Sequence, residues 1–142
     1  MPFSIDPALI GSEFDVVEHP PVTAEELIEF ARALGITEPV YTQPGPELRA
    51  HPTYCVRMHG HRPYPERLPN ELEWRRGMDA GKDVEFGVPI RPGDAITVRS
   101  TLHDVYEKTG RSGSMTFVVL RLTLANQRGE RVAVVDNRFM HR

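Results

Sequence analysis

Three histidines, His51, His59 and His61, cluster in the sequence. Imidazoles titrate near neutral pH, so such a group suggests metal ligation or proton transfer. Metal ligation fits poorly. The spacing does not match a helical two-histidine motif, and no cysteine or carboxylate accompanies the three at zinc spacing. No metal and no cofactor is expected. His51 stands apart, because Pro52 after it suits the first turn of a short helix; it is a candidate for contact with a substrate. Cys55 is the one cysteine, which excludes an intrachain disulfide and a cysteine zinc site. Asp94 follows Pro92-Gly93, where an aspartate usually bonds its own backbone in a turn. Arg91 beside it either meets a phosphate or caps a strand end. Between Arg49 and Arg76 six arginines face three glutamates, a local excess of positive charge in a chain whose net charge is −3. Two readings are open there: a solvated loop, or a docking surface for phosphates or an acidic partner that would include Arg57. Trp74, the only tryptophan, either anchors its own loop or anchors an interface.

The elements that must position these residues follow from proline and from hydrophobic period. All 13 prolines lie at or before Pro92, so the remainder can run as long strands with no ladder donor deleted. Val84, Phe86, Val88 and Ile90 alternate with polar or small residues, which predicts a strand. Arg91-Pro92-Gly93-Asp94 predicts a turn. Ile96, Val98 and Leu102 restart the alternation. Loops at Lys108–Gly113 and Asn126–Gly129 then separate an apolar strand over Met115–Leu124 from a last strand over Arg131–His141. Four strands in a meander are expected, with one apolar face to be covered. Ser12–Val17 predicts a short strand. Thr23 and Glu26 have capping-box spacing, Val22 and Leu27 sit at staple positions, and Leu27, Ile28, Ala31 and Leu34 form one stripe ending at Gly35. That helix is the natural cover. Loops are expected over Ile36–Ala50 and His61–Gly81, with a second short helix from His51 towards Gly60.

At 142 residues the chain is expected to be one domain, 1–142, of class α+β, long enough to bury a core. Its negative net charge argues against general nucleic-acid binding. No apolar run reaches membrane-span length. Met1–Gly11 lacks the basic-then-apolar pattern of a signal peptide. A cytoplasmic location is expected.

The order strand, helix, loop, then strands, together with particular residues, carries a resemblance. Those residues are Ala31-x-x-x-Gly35-x-x-x-Pro39-Val40-Tyr41, His51-Pro52-Thr53-Tyr54, Val88-Pro89-Ile90-Arg91-Pro92-Gly93-Asp94, Tyr106-Glu107-Lys108-x-Gly110-Arg111-Ser112-Gly113 and Thr123-x-x-Asn126-Gln127-x-Gly129-Glu130. The sequence from about residue 12 onward resembles the MaoC-like dehydratases, and most of all the N-terminal hot-dog domain of the fatty-acid-synthase-like dehydratases. The resemblance implies a hot-dog fold, a curved antiparallel sheet wrapped around a central helix. It also implies an acyl-CoA or other acyl-thioester substrate, with Thr53 and Tyr54 in the helix-opening segment near which the acyl chain threads.

Catalytic members of that family carry Asp-x-Asn-Pro-aliphatic-His after the helix. The carboxylate and imidazole hold a water and move its proton during hydration of an enoyl thioester. Aligned on Pro39, this chain has Ile36 for the aspartate, Glu38 for the asparagine and Tyr41 for the histidine. Isoleucine takes no proton, and tyrosine titrates near pH 10. No catalytic residue is therefore assigned. Glu38 is either a substitute acid or a solvent-facing loop residue. Tyr41 either bonds across a subunit boundary or is a half-buried loop tyrosine. In the family, hot-dogs lacking the pair associate with a catalytic hot-dog. Because the last predicted strand reaches the final residues, that partner is expected on a separate chain, as a heterodimer or a pair of heterodimers. His51, Thr53, Tyr54, Arg57 and Arg91 are the substrate-binding candidates, and Tyr41 and Trp74 the partner-interface candidates. The expected function is a non-catalytic subunit of an (R)-specific enoyl-CoA hydratase or 3-hydroxyacyl-thioester dehydratase. The alternatives are a non-catalytic acyl-thioester-binding protein and a hot-dog thioesterase.

Overall fold

The computed structural model describes residues 4–142, apart from the side chain of Trp74. Five strands, β1 (Glu13–Glu18), β2 (Met78–Phe86), β3 (Thr97–Gly110), β4 (Gly113–Ala125) and β5 (Arg131–His141), form one antiparallel sheet in the order β1-β3-β4-β5-β2. Two helices, α1 (Ala24–Ala33) and α2 (Pro39–Thr42), precede β2, with 3-10 turns at Pro7–Leu9, Pro52–Arg57, Asn70–Leu72 and Trp74–Arg76. The arrangement is an α+β hot-dog fold. Among the described residues no helix is long and apolar enough to cross a membrane.

The capping box at the start of α1 is formed. Thr23 Oγ1 accepts from Glu26 N at 3.1 Å, and Glu26 Oε2 accepts from Thr23 N at 2.9 Å, so two orphan donors of the first turn are satisfied. Leu27 and Ala31 are fully buried, while Leu34, expected on the same stripe, is 52% exposed. It is the C-cap residue, beside Gly35 at φ 76°, where the chain leaves the helix. Phe30 packs against the core in its place. The segment after α1, expected to be a loop throughout, contains α2, with Pro39 at the first helical position. The helix expected from His51 to Gly60 is a 3-10 turn that stops at Arg57.

The proline-free tail forms the three long strands, and β3-β4-β5 is a meander. The fourth expected strand departs from the expectation in both position and neighbour. It begins and ends earlier, at Met78–Phe86, and pairs with β5 rather than β3. Pro89 and Pro92 remove donors from the residues that follow, and the Arg91–Asp94 turn closes against the chain before α1. Gly93 N donates to Val22 O at 2.7 Å and Val22 N to Asp94 O at 3.0 Å, while Ala50 N donates to Ile90 O at 2.8 Å. The connection therefore crosses the sheet end and buries Ile90. At its start Gly87 lies where a Cβ would overlap the Arg131 carbonyl, an approach only glycine allows.

Two clusters of buried side chains fill the inner face. One joins Leu27, Tyr54 and Ile96 with Val98, Leu122, Leu124 and Val135. The other joins Leu68 and Leu72 with Leu102, Val105, Val118 and Leu120. The His61–Gly81 segment, expected to be irregular and polar, thus supplies a core: Leu72 is fully buried, which is worth roughly 1.5–3 kcal/mol. A register shift between Leu102 and Asp104 lets both Leu102 and Val105 face inward. On the outer face, Arg121 grips Asp136 with two bonds of 2.7 and 2.8 Å, and Arg131 pairs with Glu85 at 2.8 Å.

Asp94, only 2% exposed, accepts from Arg91 N at 2.9 Å, Gln127 Nε2 at 3.0 Å and Arg128 Nη1 at 3.3 Å. It ties the crossing connection to the β4–β5 turn. Asp94→Ala is expected to lower the unfolding free energy by about 2–3 kcal/mol, because donors lose a charged acceptor. Thr23→Ala is expected to cost about 1 kcal/mol. Urea unfolding of the two variants checks the order.

Candidate functional site

The histidine position of the catalytic motif, Tyr41, is on α2, and its ring stands edge-to-face on His51 with centroids 5.1 Å apart and planes at 72°. Pro39 starts that turn and Arg49 N closes it from behind by donating to Val40 O at 3.2 Å. The two rings border a cavity of about 230 Å3. Its far wall is the end of β2 and the connection after it, Phe86–Ile90, with Val132 of β5 and Cys55 of the 3-10 turn completing the lining.

Two of the groups in this cavity are tied into the 3-10 turn by hydrogen bonds. His51 caps the 3-10 turn: its Nδ1 accepts from Thr53 N at 3.4 Å and lies 2.8 Å from Thr53 Oγ1. A neutral ring that accepts at Nδ1 carries its proton on Nε2, which makes the free nitrogen a donor. Burial pushes the Cys55 thiol up, and its Sγ donates to Pro52 O at 3.2 Å; a protonated, buried thiol is a poor nucleophile. Among the described residues that line the cavity there is no aspartate or glutamate. Glu38 lies outside it, exposed, with Oε2 accepting from Thr37 N at 3.3 Å.

The remaining candidates are dispersed. Thr53 orients His51 from the exposed side of the turn. Tyr54 is buried against Phe30, edge-to-face at 5.1 Å, and the Arg57 guanidinium stands over both rings at 5.1 and 5.7 Å. Burial raises the Tyr54 phenol, against the lowering effect of the Arg57 charge. Tyr54 and Arg57 therefore face α1 rather than the cavity. The Arg91 amide is held by Asp94, and its side chain is exposed. Trp74 belongs to a 3-10 turn, and the interface expected of its side chain lies outside the described residues. His59 and His61 line a different cavity on the sheet's inner face.

Sequence reasoning missed Arg49, which was counted only as one of six arginines. It lines the cavity, half-buried, and among the described residues it has no carboxylate partner. Its signal was its place two residues before His51. The wall from Phe86 to Ile90 was missed as well, because those residues read as strand.

A family model described as FAS1-like, dehydratase domain region, matches residues 8–135. No curated protein sequence matches. Among solved structures, the MaoC-like dehydratase from Rhodospirillum rubrum aligns at 22% identity and TM-score 0.63, over 93% of this chain and 91% of that one. A chain of the HadBC (3R-hydroxyacyl-ACP dehydratase) complex from Mycobacterium tuberculosis aligns at 22% and 0.64, over 93% and 96%. A chain of the ChsH1-ChsH2 complex from the same organism aligns at 17% and 0.65, over 92% and 82%. At these identities the likeness is one of fold.

Cys55 in the folded chain is expected to resist iodoacetamide at neutral pH and to react once guanidinium unfolds the protein. Mass spectrometry of the two samples checks this.

Proposed function

The chain belongs to the FAS1-like dehydratase-region family, and on that premise we propose that it is the non-catalytic hot-dog subunit of an enoyl-thioester hydratase or 3-hydroxyacyl-thioester dehydratase. In this reading the whole chain acts as one cytoplasmic hot-dog domain that shapes the acyl-CoA groove, and a second hot-dog chain supplies the acid–base pair. The observation that carries it is the cavity beside Tyr41, the residue aligned with the motif's histidine, whose described lining has no carboxylate and one imidazole that accepts at Nδ1. Adding water to an enoyl thioester needs a group that accepts the water's proton and one that returns a proton to the α-carbon. On the outer face Arg121 is paired with Asp136 and Arg131 with Glu85, and none of the four lines the cavity. A thioesterase would need the same missing base to activate water, so the lining disfavours that alternative.

What the cavity offers is binding. His51 Nε2–H can donate to a carbonyl, Phe86 and Val88 give an apolar wall, and Arg49 at the rim suits a phosphate of coenzyme A. The edge of the sheet supports a partner. On β2, whose second edge pairs with no other strand among the described residues, Met78 and Phe86 are 51% and 55% exposed. Unpaired edges of this kind are normally covered, and the two complexes aligned above are assemblies of this fold.

The chain purified alone is expected to leave crotonyl-CoA unhydrated, and the same chain co-purified with a hot-dog chain carrying aspartate and histidine is expected to hydrate it. Steady turnover by the chain alone would refute the proposal. In the active complex Arg49→Gln is expected to raise KM for the CoA thioester about three- to tenfold with kcat little changed, the pattern of lost uniform binding.

A further inference from the structure

Every strand of the sheet sends a side chain into a second cavity, of about 520 Å3, which shares no lining residue with the groove at Tyr41. Its floor is the strip of inner face between the two core clusters. Leu120, Leu122 and Phe139 give that strip an apolar body, but Ser100, Asn137, Lys82 and Asp79 also point into it. Polar side chains on the core face of a sheet are costly unless something bonds them.

One of them is buried and unmet, and a second, Lys82, stands solvent-exposed beside it. Asn137 Oδ1 is buried with no hydrogen-bond partner. The ladder places Lys82 directly opposite Asn137, and Asn137 directly opposite Leu120, so ammonium and amide are neighbours on one face. Among the described residues Lys82 has no ion pair. The other polar groups are engaged or neutral. Asp15 turns inward but accepts from Arg62 N at 3.0 Å, which ties down the covering segment His59–Pro63, and Gly60 lies where a Cβ would overlap the Asp15 carboxylate. His19 Nε2 meets His59 O at 2.9 Å. The outer edge of His59 reaches solvent, yet burial of its inner side and the charges of Lys82 and His19 hold it below the ordinary histidine value.

We propose that this cavity binds a neutral, hydroxyl-bearing apolar molecule, with the hydroxyl seated between Lys82 and Asn137. A hydroxyl donates to Asn137 Oδ1 and accepts from the Lys82 ammonium, so one group satisfies both. A carboxylate offers Oδ1 no donor and faces Asp79. An ammonium meets Lys82. A plain hydrocarbon leaves Asn137 Oδ1 without a donor. Two sources share the chemistry: a free alcohol, or a hydroxylated acyl tail of the groove's own ligand, and only the second rests on the function proposed above.

The test is a fluorescence titration of the full chain with 2-naphthol, with 2-naphthoate and naphthalene as competitors. Saturable binding of 2-naphthol, about five- to tenfold tighter than either competitor, is expected. Lys82→Met and Asn137→Leu should each bring the three affinities within about twofold. Lys82 is exposed on an edge strand, so its variant remains informative should Asn137→Leu fold poorly. Equal affinities in the parent chain, a preference for naphthoate, a preference that survives both variants, or no saturable binding would each overturn the proposal. Displacement of 2-naphthol by a long-chain acyl-CoA would assign the hydroxyl to an acyl tail; undisturbed binding would assign it to a free alcohol. Failure of the hydration assay would leave this readout unaffected.

Discussion

A sheet with one apolar face must be covered along its length, and this chain has little helix with which to do it. The strands β3 and β4 run for 14 and 13 residues, on the order of 45 Å at the usual rise. The covering helix α1 has 10 residues, about 15 Å. The deficit is met by two separate covers. Leu27 of α1, with Tyr54 and Cys55 of the 3-10 turn, closes one half, and Leu68 and Leu72 close the other. Between them the face carries Ser100 and Asn137 beside Leu122 and Leu120. Groove and inner cavity both follow from that shortfall: each lies where a cover ends.

Features written into neighbouring residues were legible in the sequence. The capping box needs only Thr23 and Glu26, and the hairpin loops need only the glycines and polar residues between two apolar runs. Strand length followed from the absence of proline after Pro92. What failed was the pairing of β2. Its alternation continues through Val88 and Ile90, but the decision is made by Arg131, whose carbonyl packs on Gly87, and by Asp94, which closes the connection on Gln127 and Arg128. Those partners are more than thirty residues away in sequence. Leu68 and Leu72 were unreadable as core for a related reason: three prolines and alternating charges surround them, and no period marks a face.

The site divides in the same way. That Ile36 and Tyr41 stand where the resemblance sets an aspartate and a histidine could be read from the letters aligned on Pro39. That His51 would stand on Tyr41, and that its Nδ1 would be consumed by the turn it begins, depends on a backbone geometry the letters do not state. Tyr54 and Arg57 looked like companions of His51 because they are close in sequence. Tyr54 and Arg57 are three residues apart in a 3-10 turn and stack on one side of it, where they meet Phe30, whereas His51 is the extended N-cap residue outside the turn.

The ladder joining β2 to β5 shifts register between Asp79 and Lys82, where Gly81 takes φ 107° and its amide bonds Asp79 rather than the adjacent strand. The side wall of the inner cavity is therefore a stretch where the ladder is interrupted, and it lies on a border of the sheet. Loosening it breaks nothing in the meander. Traffic into the interior can then be set by local fraying of a few residues, with the rest of the domain kept folded.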